Sequence, residues 1–250
     1  MTVLKRAVTT SRGAHAALIW EEPRPRTVVA RDEELVMGLD EAGRGAVLGP
    51  LVVGGFVARA DDVGRLRALG VRDSKLLTPD QREQVYRVLP QVGRSCSTHL
   101  APPLIDSYVR HNALNELEAR AFGRLARRAG VRRLFVDACD PVASRFGAAV
   151  RRWAGPEVVV DARHHADRDL PIVGAASIVA KVRRDRAIAR LAGELLVDPG
   201  SGYPSDPTTQ ACVRTTLSGG GTLPGWLRAS WATVARLKPD RVGPTIESFS

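Results

Sequence analysis

Apolar residues along this chain fall into short runs that end on an acid, a glycine or a proline. Val36 to Asp40 and Leu51 to Ala58 read as strands, joined by a Gly- and Pro-rich connector from Gly43 to Pro50. Thr78-Pro79-Asp80-Gln81 has the form of a helix start, with Thr78 as N-cap, Pro79 at the first helical position and Gln81 completing a capping box. Asn112 to Ala129 carries Leu114, Leu117, Ala121 and Leu125 near helical spacing and stops before Gly130. Leu134 to Asp137 reads as a strand ending in an acid, and Glu157 to Asp161 as another. Ile172 to Leu196, apolar and then charged, predicts a long helix. A loop follows from Gly200 to Pro207, with helical stretches around Thr208–Leu217 and Ser230–Leu237. Strands first, then strands alternating with helices, predict an α/β chain with a mixed sheet. Residues 1–33 are polar and broken by Pro23 and Pro25, and read as a loosely structured extension, in which Ala16 to Trp20 is apolar enough to pack on the domain.

The strand ends carry the chemistry. Asp40 and Glu41 sit side by side, and adjacent carboxylates repel unless a cation compensates them. Asp137, and then Asp161 or Asp167, supply further strand-end acids. In an open α/β sheet, ligands gather outside the carboxyl ends of strands. Three or four carboxylates there make a hard oxygen site suited to Mg²⁺ or Mn²⁺. Consecutive strand residues face opposite ways. Asp40 and Glu41 therefore share one site only if the strand breaks at Glu41, or if Glu41 reaches it at longer range or through water. Gly43-Arg44-Gly45, directly after the acids, lets backbone approach a bulky anion.

Charge narrows the target. The 250 residues carry a net charge of +10, the electrostatic footprint of a nucleic-acid binder. With the acids, this favours two-metal phosphodiester hydrolysis; a glycosidase would also use two carboxylates but has no use for the basic surface. Only four of the 37 basic residues are lysines: Lys5, Lys75, Lys181 and Lys238. An internal lysine in such a chain marks a place where a planar guanidinium does not fit. Three cysteines without ligand spacing imply neither a disulfide framework nor a zinc site. With no signal peptide and no membrane span in the sequence, a soluble cytoplasmic protein is expected.

Six ordered motifs over roughly residues 34–240 resemble ribonuclease HII, the type 2 ribonuclease H. These are Asp40-Glu41-Ala42-Gly43-Arg44-Gly45 with Leu48-Gly49-Pro50; Asp73-Ser74-Lys75; Asn115-Glu116-Leu117-Glu118-Ala119; Phe135-Val136-Asp137; His164-His165-Ala166-Asp167 with Ala175 to Val182; and Gly200 to Pro207 with Ser230-Trp231. The last is closer to the archaeal and eukaryotic style. The resemblance implies a ribonuclease H-like fold with a mixed five-stranded sheet flanked by helices and a C-terminal helical extension. Its domains would be 1–33, an extension; 34–197, the catalytic domain; and 198–250, helices contributing to substrate binding.

It also implies cleavage of RNA in RNA–DNA hybrids and nicking 5′ of single ribonucleotides in duplex DNA, as in ribonucleotide excision repair, leaving 3′-hydroxyl and 5′-phosphate ends. The catalytic and metal-binding acids would be Asp40, Glu41, Asp137 and Asp167, which chooses Asp167 over Asp161. The cofactor would be Mg²⁺ or Mn²⁺, two ions during catalysis, and a monomer is expected. Gly43, Arg44 and Gly45 would read the 2′-hydroxyl, which is what distinguishes RNA from DNA. Tyr203 would stack on the sugar, and Ser74, Lys75 and Lys181 would hold phosphates.

Overall fold

The computed structural model describes residues 17–20, 34–71, 74–195 and 197–238. Strand β1 is Ala17–Trp20, β2 is Leu35–Ala42 and β3 is Leu51–Arg59. Helices α1, Arg65–Ala68, and α2, Pro79–Val88, precede β4, Gly93–Leu100. Then come α3, Pro102–Val109; α4, Leu114–Ala129; β5, Arg133–Asp137; α5, Ala143–Ala154; and β6, Val159–Arg163. The chain continues through α6, Ala166–Asp169; α7, Pro171–Glu194; α8, Pro207–Ser218; and α9, Ala232–Leu237.

These strands form one mixed sheet in the order β1-β4-β3-β2-β5-β6. β1, β4, β3 and β2 pair antiparallel, whereas β2 pairs with β5, and β5 with β6, in parallel. The expected mixed five-stranded sheet is β2 to β6. Ala17–Trp20 adds a sixth strand at its edge, through backbone pairing with Cys96–His99. Asp73, part of the second motif, lies outside the described residues. The capping box of α2 forms as its sequence predicts: Thr78 Oγ1 accepts from the Gln81 amide at 3.2 Å, and Gln81 Oε1 accepts from the Thr78 amide at 3.0 Å.

Alternation along β2 divides the core between two layers. Met37 and Leu39 face α4 and α5, where Leu117, Phe122, Phe146 and Val150 are buried; Phe122 and Phe146 meet edge to face at 5.4 Å. Val36 faces the other way, toward Ile172, Val173, Ala176 and Val179 of α7 and Val85 and Tyr86 of α2. On β3, Gly54 permits an unusually close helix. A Cβ there would stand 2.4 Å from the Ala176 carbonyl oxygen and 2.6 Å from the Ala180 amide nitrogen. Without that side chain, α7 lies against the sheet beside Asp40, the β2 partner of Gly54.

A third cluster ties the C-terminal helices to the connector after β2. Val47 and Leu48 pack with Cys212, Val213, Leu227 and Val234, and Leu48 forms an isolated antiparallel bridge with Leu227. Asp106 of α3 holds the Ser230-Trp231 segment by accepting from the Ala229 and Ser230 amides at 2.9 and 3.1 Å. Among the described residues, no helix is long and apolar enough to cross a membrane.

Candidate active site

The parallel register of β2 and β5 pairs Leu39 with Val136, which brings Asp40 of β2 beside Asp137, the last residue of β5. Asp167 joins them from α6. One carboxylate oxygen from each of Asp40, Asp137 and Asp167 lies within 4.8 Å of the other two. Asp40 and Asp167 are buried, and Asp137 is half-buried.

Such crowding is electrostatically costly. Burial, then Asp137 and Asp167, push the Asp40 carboxyl up to about 7, against a Ser177 hydrogen bond and the charge of Lys181. Burial and Asp167 raise Asp137, opposed by the Ala166 amide, which donates to its Oδ1 at 2.9 Å, and by Lys75 and His165. Asp167 Oδ1 is buried with no hydrogen-bond partner among the described residues. Mutual repulsion and an orphaned, inward-facing oxygen are what a divalent cation would relieve, and an all-carboxylate donor set suits Mg²⁺ or Mn²⁺.

Two lysines border the acids in different ways. Lys75 is exposed, with Nζ 3.4 Å from Asp167 Oδ2. Lys181 is half-buried and donates to the hydroxyls of Ser74 and, at 2.9 Å, Ser177. Burial lowers its pKa, although Asp40 and Asp167 oppose the shift. Ser74 is fully buried, with its hydroxyl 2.8 Å from that of Ser177. It braces Lys181 and presents no surface of its own.

The strand does not break at Glu41. β2 continues to Ala42, with Glu41 paired to Val53 on the α4 side. Glu41 therefore leaves the sheet on the opposite face from Asp40 and is not one of the three converging acids. Its Oε2 is buried without a partner among the described residues. Burial, Asp40, Glu118 and Asp137 raise its pKa well above the ordinary value, against the pull of Arg44.

Asp161 is taken up by Arg163, which donates to its two oxygens at 2.8 and 2.6 Å. Asp140 accepts from the Val142 amide at 2.8 Å and from Arg145. His164 is exposed, with Nδ1 3.3 Å from the Ala138 carbonyl oxygen.

Gly43 has φ +84°, and a Cβ there would strike the Arg184 side chain at 2.2 Å. Arg184 is buried on α7, donates to the Ser201 carbonyl at 3.1 Å and places its guanidinium carbon 4.5 Å from the centre of the Tyr203 ring. The Gly202 carbonyl accepts from the Val47 and Leu48 amides at 2.8 and 3.2 Å. The Gly-Arg-Gly turn and the Tyr203 loop are thus parts of one surface. Sequence reasoning places Arg184, with Asp185 and Arg186, in the long-helix motif but gives it no role; among so many arginines its signal is its place three residues after Lys181.

A family model for ribonuclease HII matches residues 37–234. The chain belongs to the ribonuclease HII family. It is 41% identical over 209 residues to the ribonuclease HII of Methanothrix thermoacetophila, covering 83% of this chain and 99% of that one. The crystal structure of the ribonuclease H2 from Pyrococcus horikoshii OT3 superposes with TM-score 0.74 at 39% identity, over 82% of this chain and 97% of that one. The structure of the PCNA:RNase HII complex from Archaeoglobus fulgidus gives TM-score 0.74 at 35% identity, over 83% and 98% of the two chains. Membership makes this chain a ribonuclease H, a nuclease of the hydrolase class.

Proposed function

We propose that this enzyme cuts the RNA strand of RNA–DNA hybrids and nicks duplex DNA 5′ of single embedded ribonucleotides, leaving 3′-hydroxyl and 5′-phosphate ends. The observation that carries this reading is the convergence of Asp40, Asp137 and Asp167 directly beside the Gly43–Gly45 turn. Acids suited to phosphodiester hydrolysis and a backbone able to inspect a sugar occupy one neighbourhood.

Asp40, Asp137 and Asp167 would hold two Mg²⁺ or Mn²⁺ ions, with Glu41 approaching from the other face of the sheet at longer range or through water. Such ions supply an activated water and neutralise charge on the leaving oxygen. Lys75, exposed beside Asp167, meets the phosphate backbone. Lys181 stands close enough to Asp40 to interact with its charge and is fixed by Ser74 and Ser177.

Recognition falls to the turn and to Tyr203. The amides of Arg44 and Gly45 have no hydrogen-bond partner among the described residues, and a Cβ at Gly45 would meet nothing within 4 Å. These two free donors, with open space before them, suit a 2′-hydroxyl. The Tyr203 ring, braced from behind by Arg184, offers a face for the neighbouring sugar. The helices after residue 197 contribute to substrate binding through this loop.

A duplex with one ribonucleotide tests the reading. The protein nicks it on the 5′ side of the ribonucleotide with Mg²⁺ or Mn²⁺, and neither the chelated protein nor Asp40→Asn does so. An uncut duplex with every metal tried would overturn the proposal.

A further inference from the structure

The Arg44 side chain is turned away from the site its backbone borders. Its Nη2 donates to Asn115 Oδ1 at 2.5 Å, and its Nε lies 3.4 Å from both carboxylate oxygens of Glu118. Asn115 and Glu118 are one turn apart on α4 and face the turn together. The same clamp is anchored behind. Cys139 Sγ donates to Glu118 Oε2 at 2.9 Å, and Asn115 Nδ2 donates to Asp140 Oδ2 at 2.8 Å. From the other side, fully buried Arg228 donates to the carbonyls of Arg44, at 2.9 Å, and Gly49, at 3.1 Å.

Glu118 has a fully buried side chain, whereas its partner Arg44 retains 32% exposure. Burying a carboxylate is costly even when it is paired, and an apolar residue would fill the same space at no such cost. What this carboxylate does that an apolar residue would not is hold a guanidinium at a fixed place.

We propose that Glu118 and Asn115 are positioning residues for ribonucleotide discrimination: they draw the Arg44 side chain onto α4, so that the Gly43–Gly45 turn meets the substrate with its amides. This rests on the reading of the turn given above. Arg44 is then a tether and makes no phosphate contact, in contrast to what an arginine in a nucleic-acid site usually does. Released from α4, Arg44 would no longer support the turn, and its amides would lose their place before the sugar.

The test measures binding of the full chain by fluorescence anisotropy under chelation, so that no strand is cut. Two duplexes are compared, one all DNA and one with a single ribonucleotide. The parent prefers the second. Glu118→Gln and Asn115→Ala each reduce that preference about tenfold, the scale of one charge-assisted hydrogen bond, while affinity for the all-DNA duplex stays within about twofold, because phosphate contacts carry it. Variants that keep the parental preference overturn the proposal alone. Variants that lose both affinities in parallel also overturn it, since that is the signature of a purely structural role. A parent without preference overturns the reading of the turn, and the proposal with it. Should Glu118→Gln fail to fold, Asn115→Ala, at a half-buried position, decides the matter.

Discussion

The guanidinium of Arg184 stacks over the ring of Tyr203, 4.5 Å from carbon to ring centre, while the Arg184 side chain lies against Gly43 in the turn that follows β2. Stacking on an aromatic contributes about 1–3 kcal/mol per base. Tyr203→Ala is therefore expected to lower kcat/KM on a single-ribonucleotide duplex by roughly tenfold to a hundredfold. Tyr203→Phe, which keeps the ring, retains most of the activity. Arg184→Met removes the brace and lowers kcat/KM in the same direction, and steady-state kinetics on that duplex would check all three.

The acids make the metal-free protein sensitive to pH. Asp40 keeps its proton up to about pH 7 in the folded chain but only to about 4 when unfolded. A raised carboxyl stabilises the fold most below the unfolded value, and that contribution is lost as pH rises through the folded one. Under chelation, stability should therefore fall between about pH 4 and pH 7, with Glu41 and Asp137 adding in the same sense. The Asp40 contribution is roughly 4 kcal/mol at most. Denaturant titrations across this range should show Asp40→Asn with a much flatter profile, and Mg²⁺ should restore the parent at pH 7.5 but not the variant.

The two lysines should respond differently to arginine. Lys181 donates from one compact ammonium to two serine hydroxyls, a pair of contacts that a larger planar guanidinium would not reproduce without displacing them. Lys181→Arg is expected to lose about tenfold or more in cleavage rate, in line with an overpacked site. Lys75, in contrast to the sequence expectation, has room for a guanidinium, because its side chain is 53% exposed beside Asp167. Lys75→Arg should cleave at close to the parental rate, and single-turnover assays would separate the two cases.

Gly54→Ala should act through the fold. Its methyl would overlap the backbone of α7 at Ala176 and Ala180. The expected loss is about 1–3 kcal/mol or more, the range for forced repacking. A thermal midpoint within a degree of the parent would mean that α7 yields without cost.

Much of this was legible in the sequence, for physical reasons that differ by element. Runs such as Leu51 to Ala58 are apolar because both faces of a central strand are covered, so the pattern alone marks them. Gly93-Arg94-Ser95-Cys96-Ser97-Thr98-His99-Leu100 forms the strand β4 with few large apolar residues, and no periodicity announces it. Helices α3 and α5 went unanticipated as well. Pattern alone leaves Asp161 and Asp167 open, and the family resemblance chooses Asp167; the folded chain adds a physical reason, the pairing of Asp161 with Arg163. Glu118 stands inside a recognised motif, but its pairing with Arg44, 74 residues distant, shows only in the fold.

Helix α7 carries Ser177, Lys181 and Arg184 at spacings of four and three, on one face. The first two attend the acids, and the third attends the Tyr203 loop. With a rise of 1.5 Å per residue, Ser177 and Arg184 are roughly 10 Å apart along the axis. On the proposed reading, that helix is a ruler between the bond that is cut and the sugar that is inspected. The offset between scission and recognition is then a property of helical pitch, which no adjustment of loops can alter. One residue inserted after Lys181 would rotate Arg184 by about 100° and break the gauge while leaving every acid in place.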